Sequence, residues 1–479
     1  MKLVVIGGGV AGLAAAHRAV EVARERDRAV DLVVLEAADR LGGTIQTERR
    51  DGFLVECGPD SFISEKPWAL DLCRRLGVED RLVRTDDRFR RTFVVWGGRL
   101  HPLPEGFQLL APTRLWPLLG SSLFSWPGKL RMGLDLLLPR GGDPDESLGA
   151  FVRRRLGREA LERVAQPLVA GIYTADPDTL SLAATMPRFL ELERRERSVI
   201  LGMWRAARTM PGGAAGVSGA RWSLFVTFAE GMEEMIHALA RRLPAGAVRL
   251  KERVSEVTRR GAGWRVATAG GSELSADAVL VTAEAHQAAR MVRYLDPALA
   301  HLLEGIPYAS CATVTLAYRR ADIAHALDGF GFVVPQVEGR PVIACTFSSV
   351  KYPGRAPDGH ALLRVFVGGA MNEAVLGASD ESLVATVSAQ LAELVGVRAA
   401  PLFVRVVRHP KAMPQYQVGH LARVEAIEQC LRHHPGLEVA GGAYRGVGIA
   451  DCARSAETAT DRLFEQVAAP GSFEGRISR

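Results

Sequence analysis

The chain opens on an unbroken apolar run, Leu3-Val-Val-Ile6, and comparable runs recur within 31–35 and 277–283. Such runs, lacking a polar alternate, mark strands buried on both faces, as in a parallel sheet. Elsewhere apolar and polar positions alternate. Residues 248–257, 313–318, 331–334, 342–346 and 362–367 read as strands, most with one buried face. Helical spacing covers 14–20, 64–90 with Gly77 as a stop, 148–169, 188–208 and 233–242. Residues 93–104 predict a hairpin turning on glycines, and 209–220, rich in Gly, Ala and Ser, a mobile loop. The stretch 109–138 is dense in Leu and Trp but broken by Pro117, Pro127 and Pro139, which predicts short amphipathic helices rather than one spanning helix. They form either a core layer or an apolar lip that touches a membrane or guards a greasy substrate tunnel.

The first strand runs into Gly7, Gly9 and Gly12, a G-x-G-x-x-G where a helix starts. One glycine makes the tight turn, the next lets the backbone approach a pyrophosphate, and the third lets helix pack on strand. Val10 and Ala11 fall in the first helical turn, whose free N–H groups face phosphate charge. Glu36 closes the second strand, about 20 residues on, where a carboxylate meets an adenosine ribose. Just beyond, Ala37, Arg40, Gly42 and Gly43 place a basic residue and a glycine pair near the phosphates, and Gly58-Pro59-Asp60 follows a short strand. The glycine fingerprint alone leaves NAD and FAD open. The chain ends as it began: a strand at 437–440, a turn at Gly441, and a helix entered near Val447, Gly448 and Ile449. That helix N-terminus can face the electron-rich end of a flavin.

With 479 residues, the chain exceeds the roughly 250 to 300 at which single cores stop growing. Two or three domains are expected. Hydrophobic content of 48% and charged content of 24% are those of a folded globular protein. The net charge of +6 rests on six lysines and 54 arginines scattered singly and in pairs, without the basic stripe of a nucleic-acid binder. No nucleic-acid partner is expected. The six cysteines show neither C-x-x-C nor metal-finger spacing, so free thiols and no metal are expected. There is no secretory signal and no run of 18 apolar residues, which predicts a cytoplasmic protein, at most peripheral to a membrane.

The strings Glu36-Ala-x-x-Arg-x-Gly-Gly43 and Gly58-Pro59 resemble the flavoprotein amine-oxidase superfamily, in which these elements help enclose FAD. Residues 91–104, Gly171-Ile-Tyr173, 329–335, 367–370, Met413-Pro-Gln-Tyr-x-x-Gly-His420 and Tyr444-x-Gly-Val-Gly-x-x-Asp-Cys452 narrow the resemblance to oxygen-dependent protoporphyrinogen or coproporphyrinogen oxidases of haem biosynthesis. The resemblance spans essentially the whole chain. It implies an α/β and α+β fold: a discontinuous Rossmann-like FAD-binding domain (1–86, 222–299, 431–479), a mixed-sheet substrate-binding domain (87–91, 187–221, 300–430) and a mostly helical, membrane-facing domain (92–186). It implies FAD as cofactor and six-electron oxidation of a porphyrinogen to a porphyrin, with O2 reoxidising the flavin to H2O2. It also allows a homodimer.

By the same resemblance Val254 contacts adenine through its backbone. Leu168, Gly171, Ile172, Phe330, Val333 and Phe366 line the substrate pocket, with Phe330 stacking on the macrocycle. Three positions depart from the family pattern. Val333 replaces a familiar leucine, His409 stands where tryptophan is common, and Thr92 holds the place of a propionate-binding arginine, leaving Arg91 as the nearest substitute. Hydride transfer to a flavin needs a held apolar disc rather than a catalytic triad, and no acid–base pair is expected. Rival readings are a related amine oxidase, a carotenoid desaturase, or a non-catalytic flavin or porphyrin carrier.

Overall fold

The computed structural model describes residues 1–108, 111–112, 115–209 and 225–468. The glycine-rich loop expected at 209–220 lies almost wholly outside them, as do Leu109 and Leu110. The unbroken apolar runs form a five-stranded sheet in the order Val248–Arg249, Asp31–Leu35, Lys2–Ile6, Ala278–Val281, Leu437–Val439, every pair parallel. Three widely separated stretches of chain therefore share one sheet. On one side of it the opening helix Val10–Glu25 packs on the closing helix Ile449–Ala468, with Ala11, Ala14, Ala15, Ala453 and Ala456 buried in one cluster. Small side chains let the two backbones approach closely. Arg18 Nε reaches Asp461 at 2.8 Å, and Thr460 Oγ1 donates to Ala15 O at 3.4 Å.

The alternating runs build a seven-stranded sheet in the order Phe403–Pro414, Tyr308–Arg319, His360–Gly368, Val342–Phe347, Gly331–Val333, Thr92–Trp96, Arg99–Pro102. Helix Asp380–Val395 covers one face through Leu383, Val387 and Leu391. The other face meets Phe53 and Val55 of the hairpin Thr47–Glu56 and then a helical layer.

Several boundaries differ from the sequence reading. The hairpin 92–102, placed with the helical unit, joins the seven-stranded sheet because Thr92–Val94 pairs in parallel with Gly331–Val333. Gly97 and Gly98, with φ of +56° and +72°, make its turn. Conversely, Phe189, Leu190, Val199, Ile200 and Met203, placed with the substrate domain, are buried in the helical layer with Phe151 and Leu168. The α-helix after residue 64 spans only Pro67–Leu76, closed by left-handed Gly77; short 3-10 turns follow at Glu79–Arg81 and Asp87–Phe89, and Leu82–Arg84 instead pairs with Phe225–Phe228. The 248–257 run splits: Val248–Arg249 edges the parallel sheet, Lys251 turns with a φ of +59°, and Val254–Arg260 begins a three-stranded antiparallel sheet.

The helix expected over 148–169 breaks after Arg155 at Gly157, with φ +92°, and then runs on past Pro167 to Tyr173. A π-helical turn, Leu161–Ala165, precedes Gln166–Tyr173, and the added residue absorbs the missing proline N–H. Within 115–138, Leu118, Leu123, Phe124 and Met132 are core, whereas Trp116 is 84% exposed, Leu130 72% and Leu137 73%. The core-layer reading holds for the first group, and the second group is exposed. Among the described residues no helix is long and apolar enough to cross a membrane.

The helical layer is anchored by a fully buried ion pair. Arg155 Nε lies 2.6 Å from Asp135 Oδ1, and its remaining donors reach the carbonyls of Asp135, Pro139 and Arg197. Ser198 Oγ and Ile200 N donate to the other carboxylate oxygen of Asp135.

Candidate active site

The first strand ends in Gly7, whose φ of +110° only glycine adopts readily. Gly7 N donates to Leu35 O at 2.8 Å, and Thr282 Oγ1 donates to Ile6 O at 2.9 Å, locking the turn between neighbouring strands. A Cβ on Gly12 would stand 1.9 Å from Gly7 O, so the helix can cross the strand only there. Gly9 is different. With φ −72° it is unstrained, and a Cβ would meet nothing nearer than Gly43 Cα at 4.0 Å. Open space beside an N-terminal helical turn is what a pyrophosphate requires. Gly9 also bridges Gly42, which brings the second glycine pair against the first.

Glu36 Oε2 accepts from Gly8 N at 2.6 Å and Oε1 from Ala38 N at 2.7 Å. A carboxylate offers about four acceptor sites, so capacity remains for ribose hydroxyls. Glu252 N donates to Glu36 O at 2.8 Å, setting Val254 in the chain segment beside it. Arg40 is used otherwise than as a direct phosphate contact: its guanidinium donates to the carbonyls of Leu41, Gly43 and Ile45 and so shapes the glycine loop. Ala37 is exposed on the same rim, while Val10 and Ala11 pack inward.

The closing glycine turn comes to the same crevice. A Cβ on Gly441, with φ +115°, would lie 3.7 Å from Ala11 Cβ, so the last turn and the first helix touch. Tyr416 bridges that turn: its hydroxyl donates to Gly442 O at 2.7 Å and accepts from Gly446 N at 2.8 Å. Lys66 Nζ binds both oxygens of Asp451, at 2.6 and 2.7 Å, in the first turn of the closing helix. Neither Tyr416 nor Lys66 was singled out from sequence. Tyr416 stood in the quoted Met-Pro-Gln-Tyr string without a role, and nothing local marks Lys66.

Four of the expected substrate residues share one apolar cluster with Val447. Leu168 and Val333 are buried in one hydrophobic cluster with Ala344, and Ile172, Phe366 and Val447 pack against it. Gly171 presents bare backbone: its added Cβ would meet only Val333 Cγ1, at 3.8 Å. Phe330 is half-buried and belongs to none of the apolar clusters. Arg91 is not brought to them. Its guanidinium pairs with Asp328 at 2.6 Å on the exposed rim, and Thr92 is held in the hairpin sheet.

Gly58 and Pro59 lead to a charged group beneath this pocket. A Cβ on Gly58 would strike Thr44 O at 1.7 Å, and Pro59 is exposed. Asp60 lies 3.0 Å from Lys351 Nζ; burial alone would raise its pKa, but Lys351 and Arg364 hold it down to about 2. Burial pushes Glu56 up to about 7, against hydrogen bonds from Met232 N at 2.9 Å and Thr47 Oγ1 at 2.8 Å. His409, the departure from tryptophan, has Nε2 3.0 Å from Cys57 O. Burial keeps it neutral, so it donates there, as an indole N–H does. Among the described residues no His, Cys, Asp and Glu cluster could hold a metal.

The flavin-containing amine oxidoreductase family profile matches residues 10–464. Coproporphyrinogen III oxidase of Propionibacterium freudenreichii subsp. freudenreichii is 37% identical over 491 residues, spanning 97% of this chain and 90% of the relative. Coproporphyrinogen III oxidase of Bacillus subtilis (strain 168) is 35% identical over 453 residues, spanning 94% and 95%. A crystal structure from Exiguobacterium sp. 255-15, provisionally named a protoporphyrinogen oxidase, superposes with a TM-score of 0.84 at 32% identity, over 96% of this chain and 98% of that one. The chain belongs to the flavin-containing amine oxidoreductase family and is an FAD-dependent oxidoreductase.

Proposed function

We propose that this protein oxidises a porphyrinogen, coproporphyrinogen III or protoporphyrinogen IX, to the corresponding porphyrin in haem biosynthesis, with O2 as terminal acceptor. The observation that carries the reading is the apolar cluster joining Leu168, Ile172, Val333 and Phe366 to Val447 of the closing glycine turn. It supports a pocket for a flat, greasy disc directly against the expected flavin position. Full-length kinship with enzymes named for porphyrinogens supports the substrate class. The cofactor residues proposed are those of the opening and closing turns, from Gly7 to Gly12, Glu36 to Gly43, Gly58 to Asp60, Val254, and Gly441 to Ile449.

Bound FAD would supply two-electron oxidation, and three rounds would remove six hydrogens in all, one from each of the four methylene bridges and two from pyrrole nitrogens, while three O2 are reduced to three H2O2. The chain's own part is placement. Gly171 lets the disc approach backbone, Ile172 and Phe366 grip its faces, and Phe330 closes over it. The exposed face at Trp116, Trp126, Leu130 and Leu137, with Lys129 stacked 4.7 Å over Trp126, suits the surface of a membrane.

The test supplies purified yellow protein with each porphyrinogen and follows porphyrin fluorescence and oxygen uptake together. Porphyrin formed with matching oxygen loss is expected. A protein that binds porphyrin without turnover would be a carrier, and the reading would fail.

A further inference from the structure

The charged group under the pocket does not balance. Lys351 is paired with Asp60 at 3.0 Å, and Arg355 stands 3.8 Å from Glu56. Arg364 is 4% exposed; Asp60 and Glu56 act on it electrostatically, but among the described residues its side chain has no carboxylate within 4.0 Å and makes no hydrogen bond. Its Nε is buried without a partner, and so is Thr313 Oγ1 on the neighbouring strand. A buried cation without a direct ion-pair or hydrogen-bond partner is costly, and native structures keep one where such a partner arrives.

The position of Arg364 says where that charge comes from. Side chains alternate along a strand, so Arg364 shares a face with Phe366, two residues on. Its Cζ lies 4.9 Å from the Phe366 ring centroid. Phe366 borders the cluster of Ile172, Val333 and Val447. In register, Thr315 and Thr346 stand opposite Arg364, and Thr313 stands opposite Phe366, so the register partners bring hydroxyls and no carboxylate beside the guanidinium.

We propose that Arg364 binds a carboxylate carried into the pocket by the substrate, and that it makes the enzyme select a porphyrinogen bearing a propionate on its inward edge. This rests on the porphyrinogen reading of the site. Coproporphyrinogen has a propionate on every pyrrole and presents one whichever edge enters. Protoporphyrinogen has vinyl groups on two of its pyrroles, and a vinyl edge leaves the guanidinium unpaired. The exposed Arg91, already paired with Asp328, is free of this duty.

The test compares the holoenzyme with R364Q and R364K. Oxidised protein is titrated with coproporphyrin III and with its tetramethyl ester, and kcat/KM is measured for both porphyrinogens. R364Q is expected to lose about 100-fold in coproporphyrin III affinity and in kcat/KM for coproporphyrinogen III, several-fold at most for protoporphyrinogen IX, with yellow absorbance kept. R364K is expected to recover part of the loss. Equal falls for both substrates together with a shifted flavin reduction potential would show that Arg364 serves the flavin, and overturn the proposal. Should R364Q fail to fold, the parent enzyme still decides: equal affinity for the free acid and the ester overturns it. A parent enzyme that oxidises neither porphyrinogen overturns the reading of the site itself, whereas normal turnover with unchanged discrimination in R364Q overturns only the role of Arg364.

Discussion

The rings of Tyr416 and His420 stack with centroids 4.0 Å apart and planes 12° from parallel. His420 Nε2 lies 2.8 Å from Tyr444 O, and burial keeps the imidazole neutral, so it donates to that carbonyl. The stack fixes the Tyr416 hydroxyl between Gly442 and Gly446. Tyr416→Phe leaves a carbonyl and an amide without their partner, a loss of about 1 to 3 kcal/mol. A lowered melting temperature and faster flavin loss on gel filtration are expected. Unchanged values for both would show that the turn holds its shape without the bridge.

Gly9 and Gly12 separate ligand space from fold. An added Cβ at Gly9 meets no protein atom nearer than 4.0 Å and strains no backbone, so Gly9→Val is expected to fold with near-parental circular dichroism and to purify colourless. Gly12→Val forces a side chain into Gly7 O and is expected to be insoluble. Full yellow absorbance in folded Gly9→Val would remove the pyrophosphate from this turn.

Asp135→Asn leaves the buried Arg155 guanidinium with only the more distant Glu193, 3.4 Å from its Nη1, as counter-charge. Breaking one side of such a pair costs about 3 to 5 kcal/mol. Urea denaturation is expected to show a loss of that size, and a change below about 1 kcal/mol would mean that the carbonyls around Arg155 suffice.

Glu56 gives a signed pH dependence. Its pKa is raised from 4.5 to about 7, chiefly by burial, so the carboxylic acid is the form the fold prefers. The associated stability is whole below pH 4.5, declines as pH rises, and is gone above about 7, a span of about 3 kcal/mol. Relative to Glu56→Gln, the parent protein should lose stability between about pH 5 and about pH 8 in denaturant titrations. Parallel profiles for the two proteins would place Glu56 in the ordinary carboxylate range.

The apolar face of 115–138 predicts flotation with anionic liposomes, weakened when Trp116, Trp126 and Leu130 are replaced by serine. Flotation that survives those changes would locate membrane contact elsewhere.

Sequence alone determined what depends on neighbouring residues. The unbroken run Leu3–Ile6 requires a strand covered on both faces, the Gly7 to Gly12 spacing requires a turn into a helix beside open space, and Glu36 must follow the next strand of the same unit. The hairpin at Gly97-Gly98 and the stop at Gly77 are likewise local, because positive φ belongs to glycine. Tertiary structure decided what depends on partners far along the chain. Thr92–Val94 is a parallel partner of Gly331–Val333, which no period within 92–102 can express. Helix 187–196 and the helix after it are amphipathic wherever they dock, and only packing assigned them to the helical layer. Lys66 with Asp451, Asp60 with Lys351, and the burial of Arg364 without a direct partner follow from folding that brings distant side chains within a few ångströms, a distance that spacing along a sequence does not encode.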